Sequence, residues 1–404
     1  MASISQASVG HYPVAERAPG TALRVAYDIT PIDDQPSGVG NYALHLLTHL
    51  RTTDAAHEYL PISNRATRSA LLPADCGPHP LSRPFPSRML WMQARLPGEL
   101  RRIRPQLCHY TNSIGPLANP CPYVVTIHDM TLSLMPRLHQ LRKHLSVRPV
   151  IALVARRAQR IITVSEYARQ EVIRVLRIAP ERVVVTPEAA AACFQPAHED
   201  EQRRVRACYR ITTPYILYVG TLEPRKNIVR LIRAWHALRR RNAVPHTLVL
   251  VGARGWQYEP IFRVIEELGC RDEIIFTGYV PAAHLPALYS AADALMFPSL
   301  AEGFGLPLVE AMACGTPVLA SLAPALVEIA GGAAQHADGT SVAALSTALE
   351  QLLTDRALHQ ALRARGLQRA AEFSWQRTAQ QTLEVYASVV AQAAVWPSLR
   401  TVEG

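Results

Sequence analysis

Short apolar runs alternate with stretches of helical period along almost the whole chain, once before and once after a single break. No other feature restricts the fold as much. A strand that hands over to a helix and then returns beside its predecessor builds a parallel sheet covered on both faces. The first half opens on Leu23-Arg24-Val25-Ala26-Tyr27-Asp28, followed by a Gly-rich turn, Ser37-Gly38-Val39-Gly40-Asn41. Ala43, Leu46, Leu47 and Leu50 then form one apolar stripe over two helical turns. Further strands are predicted at 107–110, 123–127, 160–164 and 182–185. The pattern breaks between Thr186 and Pro196, and the charged stretch His198 to Arg206 comes next, which places the linker there. The second half restarts at Tyr215-Ile216-Leu217-Tyr218-Val219-Gly220, with Ile228, Leu231, Ile232 and Trp235 on one helical face. Strands are predicted at 247–251, 273–277, 294–297 and 317–320, and a helix from Trp375 to Val390.

At 404 residues the chain exceeds the size at which single cores usually stop growing. The expected fold class is α/β, with two Rossmann-like, doubly wound parallel-sheet domains facing a central cleft. The expected boundaries are a loose extension over 1–20, domains over 21–190 and 191–375, and a closing segment over 376–404.

Composition narrows the class. An apolar fraction of 49% against 18% charged describes a globular chain. No run of eighteen apolar residues is present, and residues 1–20 lack the apolar stretch of a secretory signal, so a cytoplasmic protein is expected. Seven scattered cysteines, never spaced C-x-x-C, read as free thiols filling the core rather than a zinc site or disulfide frame. The net charge of +10 comes from diffuse arginine, densest at Arg95–Arg104 and Arg142–Arg160. Two readings stay open for it: a solvated face, or weak peripheral contact with the anionic inner face of a membrane. In the second, Leu90, Trp91 and Met92 dip into the interface; in the first, Trp91 packs in the core. Nucleic acid ranks last, because the aromatic signatures of RNA binders are missing.

Four motifs carry chemistry. The strongest, Glu302-Gly303-Phe304-Gly305-Leu306-Pro307-Leu308-Val309-Glu310 through Pro317, begins where a strand ends, and Pro307 suits the first position of a helix. Its glycines let backbone approach a ligand, and the helix start offers free N–H groups. Glu310, about one turn in, can accept hydrogen bonds from the vicinal hydroxyls of a ribose, and Glu302 from those of a sugar ring. The second motif, Gly220-Thr221-Leu222-Glu223-Pro224-Arg225-Lys226-Asn227, puts two cations at a strand-to-helix junction, where a diphosphate needs them. The third is Ser37-Gly38-Val39-Gly40, a glycine turn approaching phosphate or sugar. It is not the dinucleotide fingerprint, which also argues against a dehydrogenase. The fourth, Thr126-Ile127-His128-Asp129, sits at the end of an apolar strand and so lines the cleft. No His/Cys/Asp cluster has metal-ligand spacing, and no metal or cofactor is expected.

At these residues the sequence resembles the glycosyltransferases of family four, from about Leu23 to Val390. Ile162-Thr163-Val164-Ser165-Glu166, Phe276-Thr277-Gly278-Tyr279-Val280 and Phe373-Ser374-Trp375 extend the likeness. The resemblance implies the GT-B fold and a retaining, metal-independent transfer of a hexose from a nucleotide-diphosphate sugar, a co-substrate, to a glycan or lipid-linked acceptor. It places Glu310 on the ribose, and Glu302 with the Gly303, Phe304, Gly305 and Leu306 backbone on the donor sugar and phosphate. Arg225 and Lys226, with Gly220 beside them, would neutralise the diphosphate, and Tyr279 and Val280 would meet the base. Gly38, Val39 and Gly40 would close over the phosphates, and His128, with Asp129 beside it, would contact the transferring sugar. The terminal helix would cross back to the first domain. The wording of Gly220–Asn227 is most like that of mannosyl-transferring members, which favours GDP-mannose over UDP-glucose. Two departures stand out: Thr221 and Leu222 follow Gly220 where many members carry an arginine, and Val327-Glu328 replaces a common Pro-Glu pair. A nucleotide-sugar epimerase of the same fold and a non-catalytic nucleotide-sugar-binding subunit are the competing readings.

Overall fold

The computed structural model describes residues 22–65, 72, 85, 87–138, 141–241 and 244–400, without the side chains of residues 137, 141–146 and 393–400. The expected extension 1–20, Cys76, and residues 401–404 lie outside the described residues.

The apolar runs form two six-stranded sheets, parallel throughout. In the first, β1 (Arg24–Asp28), β2 (Glu58–Ile62), β3 (Leu107–Tyr110), β4 (Tyr123–Thr126), β5 (Arg160–Thr163) and β6 (Val183–Val185) lie in the order β2-β1-β3-β4-β5-β6. The second holds β7 (Tyr215–Val219), β8 (Thr247–Val251), β9 (Ile274–Gly278), β10 (Ala294–Phe297), β11 (Val318–Ser321) and β12 (Gln335–Ala337). Its order is β12-β11-β10-β7-β8-β9. Helices cover both faces, so β3, β4, β10 and β11 are buried at every position, the polar His109, Thr126 and Ser321 included. This is the GT-B architecture of two doubly wound α/β sheets.

Four local expectations change. Ser37–Asn41 is not a free turn: Gly38 to Gly40 are the first turn of the helix Gly38–Thr53. That helix starts with neither a side-chain cap nor an acid in its first turn, so its N–H groups remain open to a ligand. The charged stretch after His198 is a helix, Glu199–Cys208, whose first turn carries Glu199, Asp200 and Glu201 against the positive end of the dipole. Trp91 and Met92 are fully buried in the π-helical turn Trp91–Arg95 and cannot dip into a membrane, whereas Leu90 beside them is 60% exposed. Nor are all thiols core fillers, since Cys193 and Cys208 are exposed.

The closing helix, Trp375–Arg400, returns to the first sheet and packs along the helix Gly38–Thr53. Trp375 stacks on His45 at 5.5 Å between ring centroids, and Thr378 Oγ1 donates to the Pro187 carbonyl at 2.5 Å. Deeper in, a buried chain of hydrogen bonds runs from Tyr386 to His109 Nδ1 (2.6 Å), from His109 Nε2 to Thr126 (2.8 Å), and from Thr126 to Tyr42 (3.0 Å). Burial lowers His109 to about 3, so it stays neutral and can serve as donor on one side and acceptor on the other. The chain fixes the end of β4, from which the cleft residues leave.

Candidate active site

In the second sheet the strand order reverses between β7 and β10, and loops leaving such neighbouring strands diverge to form a crevice. The two strongest motifs are those loops. Their backbones touch, with Leu300 N donating to Arg225 O at 2.9 Å. Asn227, in the left-handed conformation at φ 61°, closes the Pro224–Lys226 turn, and its amide bridges the carbonyls of Pro298 (3.0 Å) and Gly339 (2.7 Å).

This brings Arg225, Lys226 and Glu302 into one buried ion cluster. Lys226 Nζ donates to Glu302 Oε1 at 2.6 Å, and Arg225 Nη1 donates to Glu302 Oε2 at 2.7 Å. Glu223 joins through Arg225 Nη2 at 2.8 Å. Burial alone would raise the Glu302 carboxyl, but the two cations outweigh it and hold it at about 2. Burial and Arg225 together lower Lys226, against the pull of Glu302. The cluster is therefore a preformed field, with the start of the helix Ile228–Arg240 behind it.

Glu310 is different. Gly305, at φ 96°, turns the chain into the helix Leu306–Ala313, which has no side-chain cap and no acid in its first turn. Glu310 is 6% exposed, and burial lifts its carboxyl to about 7. Its hydrogen-bond partner is the Tyr289 hydroxyl, which donates to Oε2 at 2.8 Å.

The first sheet meets this crevice directly. Gly303 lies so close to the end of β4 that a Cβ built on it would overlap the His128 carbonyl oxygen. Ser165 Oγ donates to the Gly303 carbonyl at 2.6 Å, and both carboxylate oxygens of Glu328 accept from the N–H groups of Glu166 and Tyr167 at 2.7 Å each. Asp129, Tyr167, Glu302 and Gly303 line a small cavity between the halves. His128 does not offer a free ring nitrogen: Nδ1 faces Glu188 at 3.2 Å and Nε2 the Thr111 carbonyl at 2.9 Å. Burial opposes its charge, but Glu188 and the Thr111 carbonyl prevail and raise its pKa. Asp129 accepts from Thr131 N at 2.8 Å and adds to the field on Arg225. Gly220 directly follows β7. Val280 is buried, while Tyr279, 37% exposed, senses Asp33 of the first half. Gly38, Val39 and Gly40 stand at the helix start that follows β1. Among the described residues, no group of three or more His, Cys, Asp and Glu could hold a metal ion.

Two family profiles cover most of the chain: Glycosyltransferase Family 4 matches residues 36–189, and Glycosyl transferases group 1 matches residues 202–369. The O-antigen chain mannosyltransferase B of Escherichia coli is 36% identical over 264 residues, covering 65% of this chain and 69% of that protein. The chain belongs to glycosyltransferase family four. The serotype-specific mannosyltransferase WbdA of Escherichia coli is 35% identical over 232 residues, which is 56% of this chain and 28% of that longer protein. Among solved structures, Anabaena HepE in complex with UDP-glucose superposes with a TM-score of 0.74 at 19% identity, over 91% of this chain and all of that one.

In this family-four glycosyltransferase several side chains at the site had no role assigned to them from the sequence. Glu223 was visible only as part of the Gly220 motif, and Glu188 only as the broken pattern after β6. Ser165 and Glu328 act across the cleft, where no sequence spacing reports them. Tyr289 sits in the short helix Leu285–Ser290, amid apolar neighbours that read as core.

Proposed function

We propose that the enzyme transfers mannose, with retention and from GDP-mannose, to a hydroxyl of a growing glycan or lipid-linked acceptor. In this reading residues 191–375 bind the donor, 21–190 face the acceptor, and 376–404 join the two. The observation that carries it is the Arg225–Lys226–Glu302 cluster at the strand-order reversal, since a departing diphosphate needs fixed positive charge that does not have to reorganise. The names of the two mannosyltransferase relatives favour the sugar. Glu310 takes the ribose, Tyr279 and Val280 the base, and the Gly303–Leu306 backbone the donor phosphate and sugar. Gly38 to Gly40 supply N–H groups to the phosphates from the other side of the cleft.

Glu302 and Glu223 balance the two cations and hold them in place, so Arg225 and Lys226 meet the diphosphate without having to reorganise. As the glycosidic bond lengthens, oxocarbenium character builds on the sugar and negative charge on the phosphate, where Arg225, Lys226 and helix N–H groups stabilise it. No pair of glycosidase carboxylates is needed, because the donor already carries its leaving group. With both nitrogens engaged, His128 acts on the sugar through the cleft wall that its ring and carbonyl form.

A panel of nucleotide sugars tests the donor. Ligand-induced melting shifts should be largest with GDP-mannose, since binding only the folded state adds about 2.7 kcal/mol at a hundredfold excess over Kd. A larger shift with UDP-glucose would replace the donor and keep the enzyme class. Donor turnover without any acceptor would favour an epimerase instead.

Weak contact with an anionic bilayer goes with this reading, through the first half. Arg101, Arg102, Arg104, Arg156 and Arg157 are exposed, as are Leu90 and Leu153. Each basic residue at such a surface contributes about 1 kcal/mol. Sedimentation with anionic vesicles at low salt, lost at high salt, is expected; no sedimentation at low salt removes the membrane.

A further inference from the structure

Glu310 is a buried carboxyl whose electrostatic neighbours are another acid, Glu188, and two thiols, Cys193 and Cys314. No cation is among the groups that shift it. Its orientation comes from one hydroxyl, that of Tyr289, at 2.8 Å. Tyr289 is itself held in place. Its ring is fully buried and meets Phe194 edge-on at 5.9 Å, and its backbone carbonyl accepts from Thr316 Oγ1 at 2.6 Å. Thr316 follows Gly315, just past the end of the helix that carries Glu310, so the same turn of chain places both partners of the bond.

We propose that Tyr289 is a positioning residue for donor binding: its hydroxyl pins Glu310 Oε2 and thereby turns Oε1 to the ribose hydroxyls. The proposal rests on the reading that Glu310 holds the ribose. A carboxylate without that bond could rotate in its pocket, and its burial would favour the protonated form, which gives up an acceptor position and adds a donor the ribose does not need. The tyrosine hydroxyl works against both effects. Nucleotide hydroxyls donating to Glu310 also favour its charged form, so binding near neutral pH must expel a fraction of a proton from this group.

Calorimetry with free GDP and free UDP on the full chain, across about pH 6 to 8.5, tests this on the wild type, Tyr289→Phe and Glu310→Gln. Tyr289→Phe keeps the ring and its packing and loses only the bond to a charged group, so binding should weaken about tenfold at neutral pH. The pH at which affinity falls away should also move upward, because Glu310 then holds its proton more tightly. In the wild type, titrations in two buffers of different ionisation enthalpy should show proton release on binding. Affinity like the wild type at every pH, or an equal loss at every pH with no shift in the profile, would overturn the role of the hydroxyl; so would the absence of proton release. Failure of the underlying reading shows separately, as a Glu310→Gln variant that binds nucleotide like the wild type.

Discussion

Two glutamates eight positions apart, both buried, end up at opposite ends of the titration scale. Glu302 faces Arg225 and Lys226 and sits at about 2; Glu310 faces one neutral hydroxyl and sits at about 7. Burial pushes both upward, and the difference lies in whether a cation answers it. The pair therefore does two kinds of work. Glu302 is part of a charge-balanced field that stays ionised at any working pH. Glu310 is a hydroxyl acceptor whose charge is marginal until a ligand arrives.

The largest effect expected from this contrast is on stability. Glu302→Gln leaves the buried Lys226 ammonium without its carboxylate and Arg225 with Glu223 alone, and losing one partner of a buried pair costs about 3–5 kcal/mol. Denaturant unfolding should show that loss, whereas Glu310→Gln should leave stability near neutral pH almost unchanged. Comparable losses in both would erase the distinction.

Lys226→Ala should lower kcat about 10²- to 10³-fold, as removal of one fixed stabiliser of developing charge does. Near wild-type kcat at saturating donor would move the phosphate role to Arg225 alone. Glu310→Ala should instead weaken free nucleoside diphosphate, by about 1.5–3 kcal/mol per hydrogen bond to the charged group. Unchanged affinity in a folded variant would remove the ribose assignment.

The pH dependence sharpens the comparison further. The Glu310 pKa is raised on folding, so its contribution to stability is present below its ordinary value and is lost as pH rises through about 7. Nucleotide affinity should run the other way, rising with pH until Glu310 is charged. The Glu302 pKa is depressed, so its contribution holds above the ordinary carboxylate range and fades only as pH falls toward about 2. Between those limits Glu310 is the only one of the two that titrates, and Glu310→Gln should flatten that part of both profiles. The smallest effect expected is with chelator, where turnover should persist; loss with EDTA that Mg²⁺ or Mn²⁺ restores would bring a metal into the site.

Much of this was legible in the chain because central strands and their loops are locally encoded. The β10 run, Pro307 and the glycines around Glu302 announce a strand, a close turn and a helix start in order, and the structure keeps that order. β2 and β12 escaped, although β6 and β9, the opposite edges of the same sheets, were legible. Glu58-Tyr59-Leu60-Pro61-Ile62 is interrupted by proline, and Gln335-His336-Ala337 is too short and polar to read as a buried run. Gly38 to Gly40 looked like a turn because glycine is a poor helix former. In the first turn, where N–H groups have no helical partner anyway, that handicap is small. Trp91 stayed undecided because its neighbours Leu90 and Met92 are equally apolar, and only the π-helical turn shows which of them face inward. His128 was visible as a cleft residue, but its occupation by Glu188 was not, since 60 positions separate them.

Gly303 sets how nearly the two halves can meet. At that point the shim between them is a hydrogen atom on Cα, resting against the carbonyl of His128. A single methyl group there would act as a doorstop and hold the jaws ajar at their narrowest point. Ser165 would lose its grip on the Gly303 carbonyl, and the grip of Glu328 on the neighbouring helix would have to stretch or release. The thickness of one side chain, at a residue that carries no charge, thus gauges whether the machinery on the two sides can touch the same molecule at once.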